Sequence, residues 1–201
     1  MPKLFLYKAK NTNIVAILRR DKQRKEWQLI RWDIEMDNFQ EGQWLINKMI
    51  HPRYSSISPD GKYFFYHYWN HGQYSQDAVF SKIPNFTAEY YGTWNTYYQD
   101  CTFTNDNKGV VSFEDQFIKR NVDTKLELVL RKDTNKDIII PTGYVGLKND
   151  TLAGKCNNYE QHATFTDMKG RVITVKEGVL YANGIMLLDT TNNTFIAVDP
   201  V

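Results

Sequence analysis

The chain has 201 residues, and its 25 Lys and Arg nearly balance its 23 Asp and Glu, which leaves a net charge of +2. Charged residues make up 24% and hydrophobic residues 42%, a balance typical of a folded globular domain and not of a disordered chain. This length predicts one domain with a sizeable core. No apolar run is long enough to span a membrane and no signal peptide opens the chain, so we expect a cytoplasmic protein.

The pattern along the chain predicts an all-β fold. Short apolar runs rich in β-branched and aromatic residues are bounded by Gly, Asn and Asp turns. The predicted strands are 14–18, 27–33, 63–69, 110–113, 125–130, 138–140, 172–175, 185–188 and 195–198. The residues from Met186 to Val198 have the shape of a hairpin. The stretch from Glu41 to Ile50 is the main competitor to a strand, because it could form a short helix, although Gly42 weakens that alternative.

A turn-then-strand unit occurs three times, in residues 57–66, 103–113 and 165–175. Each copy has an apolar residue and a Ser or Thr, then an acidic turn with Gly, then an apolar strand. Asp and Asn bond their own backbone in such turns, and Gly accepts a positive φ. We therefore expect tight turns at Gly61, Gly109 and Gly170. The spacing of the copies suits one four-stranded blade for each repeat.

The first copy carries a family resemblance. Ser58-Pro59-Asp60-Gly61-Lys62, followed by an aromatic strand, resembles the repeat signature of TolB-like and WD40-like β-propellers. A wider stretch, from Trp32-Asp33 through Gly42-Gln43-Trp44 to the same turn, is similar to a family of uncharacterised bacterial proteins. The resemblance implies a fold and brings no activity with it.

These observations predict a single β domain over residues 1–201, built as a small or incomplete propeller-like array of about four antiparallel blades. The blade-like segments are 4–55, 56–100, 101–160 and 161–201. A β-sandwich is the alternative.

Neither a metal site nor a catalytic site follows from the sequence. His67 and His71 form an H-x-x-x-H pair, but that spacing aligns two ligands on a helix and the local pattern is a strand. Cys156 and His162 add no recognised spacing. There is no nucleophile elbow, phosphate-binding loop or dinucleotide fingerprint, so we expect no cofactor. The carboxylates that could serve a glycosidase are Asp77, Glu89 and Asp100.

Basic residues cluster in the run from Arg19 to Lys25. The rest of the chain carries a small net negative charge, whereas nucleic-acid binders extend their basic face further, so we interpret the run as a solvated hairpin tip. Cys101 and Cys156 should both be reduced in a cytoplasmic protein.

Two aromatic and amide-rich tracts, residues 66–74 and 89–100, are the most distinctive part of the chain. Tyr and Trp offer large rigid contact areas, and Asn, Gln and His offer adaptable hydrogen bonds. The candidate binding residues are Trp69, His71, Tyr74, Trp94, Tyr97 and Tyr98. The sequence thus favours a non-catalytic domain that binds another protein, one version being a bacterial immunity or antitoxin-type protein. The alternative is a carbohydrate-binding or carbohydrate-cleaving domain using the same aromatic loops and the carboxylates.

Overall fold

The computed structural model describes residues 1–21, 23–69, 76–94, 101–111, 117–130 and 164–196. These residues form strands and turns with one short 3-10 helix, Pro52–Tyr54, and no α-helix. The all-β prediction is confirmed. No helix within the described ranges is long and apolar enough to cross a membrane.

Four sheets account for all the strands that the structure describes. Sheet I is an antiparallel meander of β1 (Lys3–Lys8), β2 (Ile14–Asp21), β3 (Glu26–Asp33) and β4 (Asn38–Ile46). Sheet II contains β5 (Met49–Ile50), β6 (Ser56–Ile57), β7 (Tyr63–Trp69), β8 (Gln76–Lys82), β9 (Ala88–Trp94) and β12 (Phe117–Lys119). Sheet III contains β10 (Thr102–Phe103), β11 (Gly109–Val111) and β13 (Leu128–Leu130). Sheet IV is a second meander, of β14 (Thr164–Thr166), β15 (Val172–Lys176), β16 (Val179–Ala182) and β17 (Ile185–Asp189).

The strand pairings are antiparallel in sheets I, II and IV, but β11 and β13 of sheet III pair in parallel. Sheet II also gathers strands from outside the segment 56–100, since β5 pairs with β7 and β12 pairs with β9. In the predicted hairpin over 186–198, the first strand appears in β17, but Phe195 and Ile196 of the second lie outside any strand, and 197–198 are outside the described residues. The alternative helix over 41–50 is absent, and its residues lie in β4 and β5 or between them. The predicted strand at 138–140 lies outside the described residues.

The sheets pack face to face through three apolar cores. The first core joins one face of sheet I, including Trp27, to sheet II, including Phe64. The second joins the other face of sheet I, including Trp32, to Ile173 and its neighbours in sheet IV. The third joins the opposite face of sheet II, including Phe65, to sheet III. The packing order is therefore IV–I–II–III, and β1, β2 and β3 of sheet I are buried on both faces, whereas the edge strand β4 is exposed or half-buried.

At one end of the sheets, turns of neighbouring sheets contact each other through hydrogen bonds and an ion pair. We call this end the turn end. Arg171 of sheet IV binds Asp37, in the β3–β4 turn of sheet I. The backbone N–H of Asn11 donates to the carbonyl of Pro59 at 2.9 Å, which joins sheet I to sheet II. The N–H of Asp60 donates to Oδ1 of Asn107 at 2.8 Å, which joins sheet II to sheet III.

The three repeated turns share one hydrogen-bond pattern, but the residues of the copies align differently from the predicted alignment. Oγ of Ser58 accepts from the N–H of Lys62 at 3.1 Å, and Oγ1 of Thr104 accepts from the N–H of Lys108 at 3.0 Å. In the third turn a carboxylate has this role, since Oδ1 of Asp167 accepts from the N–H of Arg171 at 2.9 Å. The third copy therefore begins one residue later than the sequence suggested.

The glycine prediction holds for two of the three copies. Gly61 and Gly170 have φ values of 72° and 73° in their turns. In the second copy Asn107, with a φ of 69°, takes the left-handed position, and Gly109 begins β11. Asn tolerates this conformation because its short polar side chain bonds locally.

A close approach also fixes sheet I against the loop after β8. Gly42 lies so near the backbone of Pro84 that a Cβ there would collide with the Pro84 carbonyl. The next residue, Gln43, accepts with Oε1 from the N–H groups of Phe86 and Thr87, at 2.8 and 2.9 Å. The Gly42-Gln43 pair is thus a docking point between the first two sheets.

Candidate binding site

The end of the sheets opposite the turn end carries the predicted binding tracts, and we call it the loop end. Strand β7 finishes there at Trp69, β8 starts there at Gln76 and β9 finishes there at Trp94. The pairing register places Trp69 opposite Gln76 and Gln76 opposite Trp94, while Met49 pairs with Trp69 from the other side. Met49, Trp69, Gln76 and Trp94 therefore form one row across four strands.

Of the six predicted binding residues, the structure describes Trp69, which is partly exposed, and the backbone of Trp94. His71 and Tyr74 lie in 70–75, between β7 and β8, and Tyr97 and Tyr98 lie in 95–100, after β9. These four residues are outside the described ranges. The segments that contain them nevertheless leave sheet II from the same row, because β7 and β9 both end at the loop end.

One face of sheet II at this end concentrates unpartnered polar atoms. Among the residues that the structure describes, eight buried side-chain nitrogen or oxygen atoms have no hydrogen-bond partner. Four of them belong to residues at the loop-end half of sheet II or its edge: His51 Nε2, Ser56 Oγ, His67 Nδ1 and Gln76 Oε1. Alternation along β7 puts His67 on the same face as Phe65, which packs towards sheet III. We call these four residues, with Met49 and Trp69, the histidine face.

His51 and His67 are direct neighbours on this face. The backbone N–H of His51 donates to the carbonyl of His67 at 2.9 Å, which continues the pairing of β5 with β7. Their ring centroids are 5.5 Å apart, and Tyr54 lies against both rings at 6.3 and 6.0 Å. His67 is only 4% exposed.

Burial keeps both imidazoles neutral. Removal from water, together with the adjacent His51, lowers the pKa of His67 to about 3. Removal from water, together with the charge of Arg20, lowers the pKa of His51 below its usual value. A neutral imidazole offers one N–H donor and one basic nitrogen. The histidine face can therefore bind a ligand without first losing a proton.

The opposite face of sheet II holds a buried carboxylate under hydroxyl groups. Asp77 is 2% exposed and accepts from Oγ1 of Thr93 at 3.0 Å. The Tyr68 hydroxyl also bonds to Asp77, and burial and this carboxylate raise the pKa of Tyr68 well above its usual value. Nζ of Lys48 lies 5.0 Å from the centre of the Tyr68 ring. The hydroxyl groups of Thr93 and Tyr68 give the buried Asp77 side chain its hydrogen-bond partners.

The structure does not bring Asp77 and Glu89 together as a catalytic pair. Asp77 pairs with Thr93 near the loop end, and Glu89 lies four residues earlier on β9, roughly 13 Å along the strand. Glycosidase carboxylates are about 5–9.5 Å apart. Glu89 instead accepts from Nδ2 of Asn121 with both carboxylate oxygens, at 3.1 and 3.0 Å. Asp100 lies outside the described residues.

The basic run at 19–25 is partly structural. Arg19 has a fully buried side chain that donates to the carbonyls of Thr190 and Asn193 at 3.0 and 3.1 Å. Its guanidinium lies 5.3 Å from the centre of the Trp44 ring. Arg24 remains at the tip, where half of its side chain is exposed.

No pattern in the sequence predicts a binding role for His51, Ser56 or Gln76. The pairing of His51 with His67 depends on β5 pairing with β7, and a two-residue strand has no periodicity that would predict it.

Comparison of the chain with models of protein families, with curated proteins and with solved structures finds no match.

Proposed function

We propose that this chain is a non-catalytic protein-binding domain that holds its partner at the loop end. The observation that carries the proposal is the row of Met49, Trp69, Gln76 and Trp94, from which both aromatic tracts leave sheet II. Large aromatic and methionine side chains grouped at one end of a rigid sheet are typical of recognition surfaces.

We also propose that the four sheets are the blades of a small propeller-like array. Sheets I and II, and sheets II and III, pack in chain order, and sheet IV returns to sheet I. Consecutive blades of a propeller also pack face to face with their neighbours, which supports this proposal. In this arrangement the turn end carries the repeated turns and the loop end is left for binding.

The charge around the loop end favours an acidic partner. Arg24 and Lys25 are exposed on the β2–β3 hairpin, and Lys48 lies beside Tyr68. Basic residues around an apolar centre raise the association rate with an acidic surface, and salt weakens that effect. An immunity-type protein that masks a partner is the version of this function that the small all-β chain suits.

Affinity capture from lysate of the source cells, followed by titration with the purified partner, tests this function. Trp69→Ala removes an anchor of the row, and Met168→Ala, at an exposed position in a turn of sheet IV, is the matched control. We expect Met168→Ala to keep the wild-type affinity and Trp69→Ala to weaken it by about 30-fold or more. Equal affinities for the two variants, measured on folded protein, would overturn the proposal.

The immunity version has its own test. Expression of the captured partner alone should arrest growth, and coexpression of the wild-type chain should restore growth while Trp69→Ala should not. A partner with no effect on growth would rule out the immunity version and leave protein binding in place.

A carbohydrate-binding domain is the second candidate, and Gln76 favours it. Its amide lies between two tryptophan positions and has an unpartnered Oε1. Sugars stack on aromatic rings and bond to amides, so a glycan array probed with wild type and Gln76→Ala distinguishes this candidate. Specific glycan binding that disappears in Gln76→Ala would favour it over protein recognition.

A further inference from the structure

We propose that Met49, His51 and His67 form a binding site for a soft monovalent metal ion, of which Cu(I) is the biological example. This inference is independent of the protein-binding function. It rests on the juxtaposition of three donor side chains at the edge where β5 meets β7.

The backbone brings these donors within reach of one ion. His51 faces His67 across the β5–β7 pairing, and side chains directly opposite each other have Cβ atoms about 5 Å apart. Met49 is two residues before His51, on the same side of its strand by alternation, and it pairs with Trp69. Two rings bound to one ion through single nitrogens, at about 2 Å each, would have centroids in the range of the observed 5.5 Å.

The second observation is that the two imidazoles have unpartnered nitrogens. Nε2 of His51 and Nδ1 of His67 are both buried, and neither atom takes part in a hydrogen bond. His67 is more than nine-tenths buried, so bulk water does not satisfy its nitrogen. Buried polar atoms are nearly always satisfied, and such exceptions point to a bound water, an ion or a ligand.

The donor set and its surroundings select a soft ion of low charge. The described part of the chain has no group of three or more His, Cys, Asp or Glu that could hold an ion, so the closed four-ligand site of structural zinc does not fit. Imidazole with a thioether is a ligand set for Cu(I). The charge of Arg20 acts on His51 and opposes a divalent ion more strongly than a monovalent one.

The exposure of the donors provides an entry route. Met49 is 38% exposed, His51 is partly exposed and His67 is buried, so the donors run from the surface to the interior. Trp69 pairs with Met49 at the surface, where an aromatic ring attracts a cation through its face.

An anaerobic Cu(I) titration against a chromophoric copper chelator tests the site. His51→Gln and His67→Gln remove one donor each, and His162→Gln is the matched control at a histidine outside the described ranges. The thiols of Cys101 and Cys156 also bind Cu(I), but they are the same in every variant. Beside the Cu(I) bound by these thiols, we expect one further site whose affinity falls by about tenfold or more in each of the first two variants. His162→Gln should keep the wild-type affinity at that site.

Nitrogen NMR of the wild-type protein gives a second measurement that needs no variant to fold. Addition of Ag(I), a redox-inert stand-in for Cu(I), to one equivalent beyond the amount that the two cysteine thiols take up should shift the resonances of His51 Nε2 and His67 Nδ1. Unshifted resonances, or Cu(I) affinity that is equal in all variants, would overturn the site. A water molecule bridging the two rings predicts that negative result. Preferential binding of Zn(II) at the same nitrogens would overturn the assignment to a soft monovalent ion.

Discussion

Arg171 binds both carboxylate oxygens of Asp37, with Nη1–Oδ2 and Nη2–Oδ1 distances of 2.8 and 2.7 Å, across 134 positions of the chain. Nε of the same guanidinium donates to Asp167 at 2.8 Å. The guanidinium therefore links the turn of sheet IV to the turn of sheet I. An arginine can make this bidentate contact because its planar guanidinium presents two N–H donors at the spacing of the two carboxylate oxygens.

Asp37→Asn should destabilise the fold by about 1–2 kcal/mol, since it removes a charge-assisted pair that is partly screened by solvent. The Arg171 hydrogen bond lowers the pKa of Asp37 from 3.8 to about 2. Its stabilisation is therefore fully present above pH 3.8 and is lost as the pH falls through 2. Urea unfolding at pH 7 and pH 2 measures both effects, with the exposed Asp123→Asn as control. Equal free energies of unfolding for the two variants at pH 7 would contradict the link.

His67 should make the protein less stable in mild acid. Its pKa is about 3 in the folded protein, chiefly because of burial, against 6.5 when unfolded. The unfolded chain therefore takes up a proton first, and stability falls as the pH drops from 6.5 towards 3, by on the order of 3–5 kcal/mol. Thermal unfolding of metal-free His67→Phe should show a flatter pH dependence between pH 6.5 and 4 than His162→Phe. A slope that His67→Phe leaves unchanged would show that this ring is not the titrating group.

Alanine substitutions at Gly61 and Gly170 distinguish the cost of backbone strain from the cost of a steric clash. Their φ values are nearly equal, but a Cβ on Gly61 would lie 2.7 Å from Cβ of Ile14, and one on Gly170 would meet nothing within 4 Å. Gly170→Ala should cost about 1–2 kcal/mol of unfolding free energy from the left-handed backbone alone. Gly61→Ala should cost clearly more, because the turn must also move away from sheet I. Chemical denaturation of both variants compares them, and similar losses would contradict the close contact.

Arg19 should behave as a core residue, although it begins a basic run. Arg19→Met removes its hydrogen bonds to Thr190 and Asn193 and leaves one buried carbonyl and one partly buried carbonyl without these donors. We expect a loss of about 2–4 kcal/mol in unfolding free energy. Arg24→Met, at the exposed tip of the same hairpin, should change it by less than about 0.5 kcal/mol. If Arg19→Met unfolds like Arg24→Met, the C-terminal segment does not depend on this residue.

Local sequence determined the features that local physics controls. The β-branched and aromatic runs of β2, β3 and β7 appear as predicted, because short apolar runs bounded by turn residues identify strands that are buried on both faces. Ser58-Pro59-Asp60-Gly61 forms its turn because the Ser and Asp side chains bond the backbone within five residues. The same local rule explains Gly170.

The sequence is ambiguous where residues of different types can occupy the same position of a turn. Asn107 accepts the left-handed conformation in place of Gly, and the Asp167 carboxylate accepts the bond that a Ser or Thr hydroxyl accepts elsewhere. Alignment of the three copies by residue type therefore predicts a turn at Gly109 and a third copy that begins one residue too early. Hydrogen-bond geometry determines which residue occupies each position.

Only the tertiary structure decided the candidate site. Polar residues such as Gln76 and Asp77 obscure β8 in the sequence, and their burial depends on strands that pair with it from both sides. His67 has His51 as its neighbour because β5 pairs with the last residues of β7, and the backbone N–H of His51 continues that pairing to the carbonyl of His67. Such contacts follow from long-range pairing, whose register no short window of sequence contains.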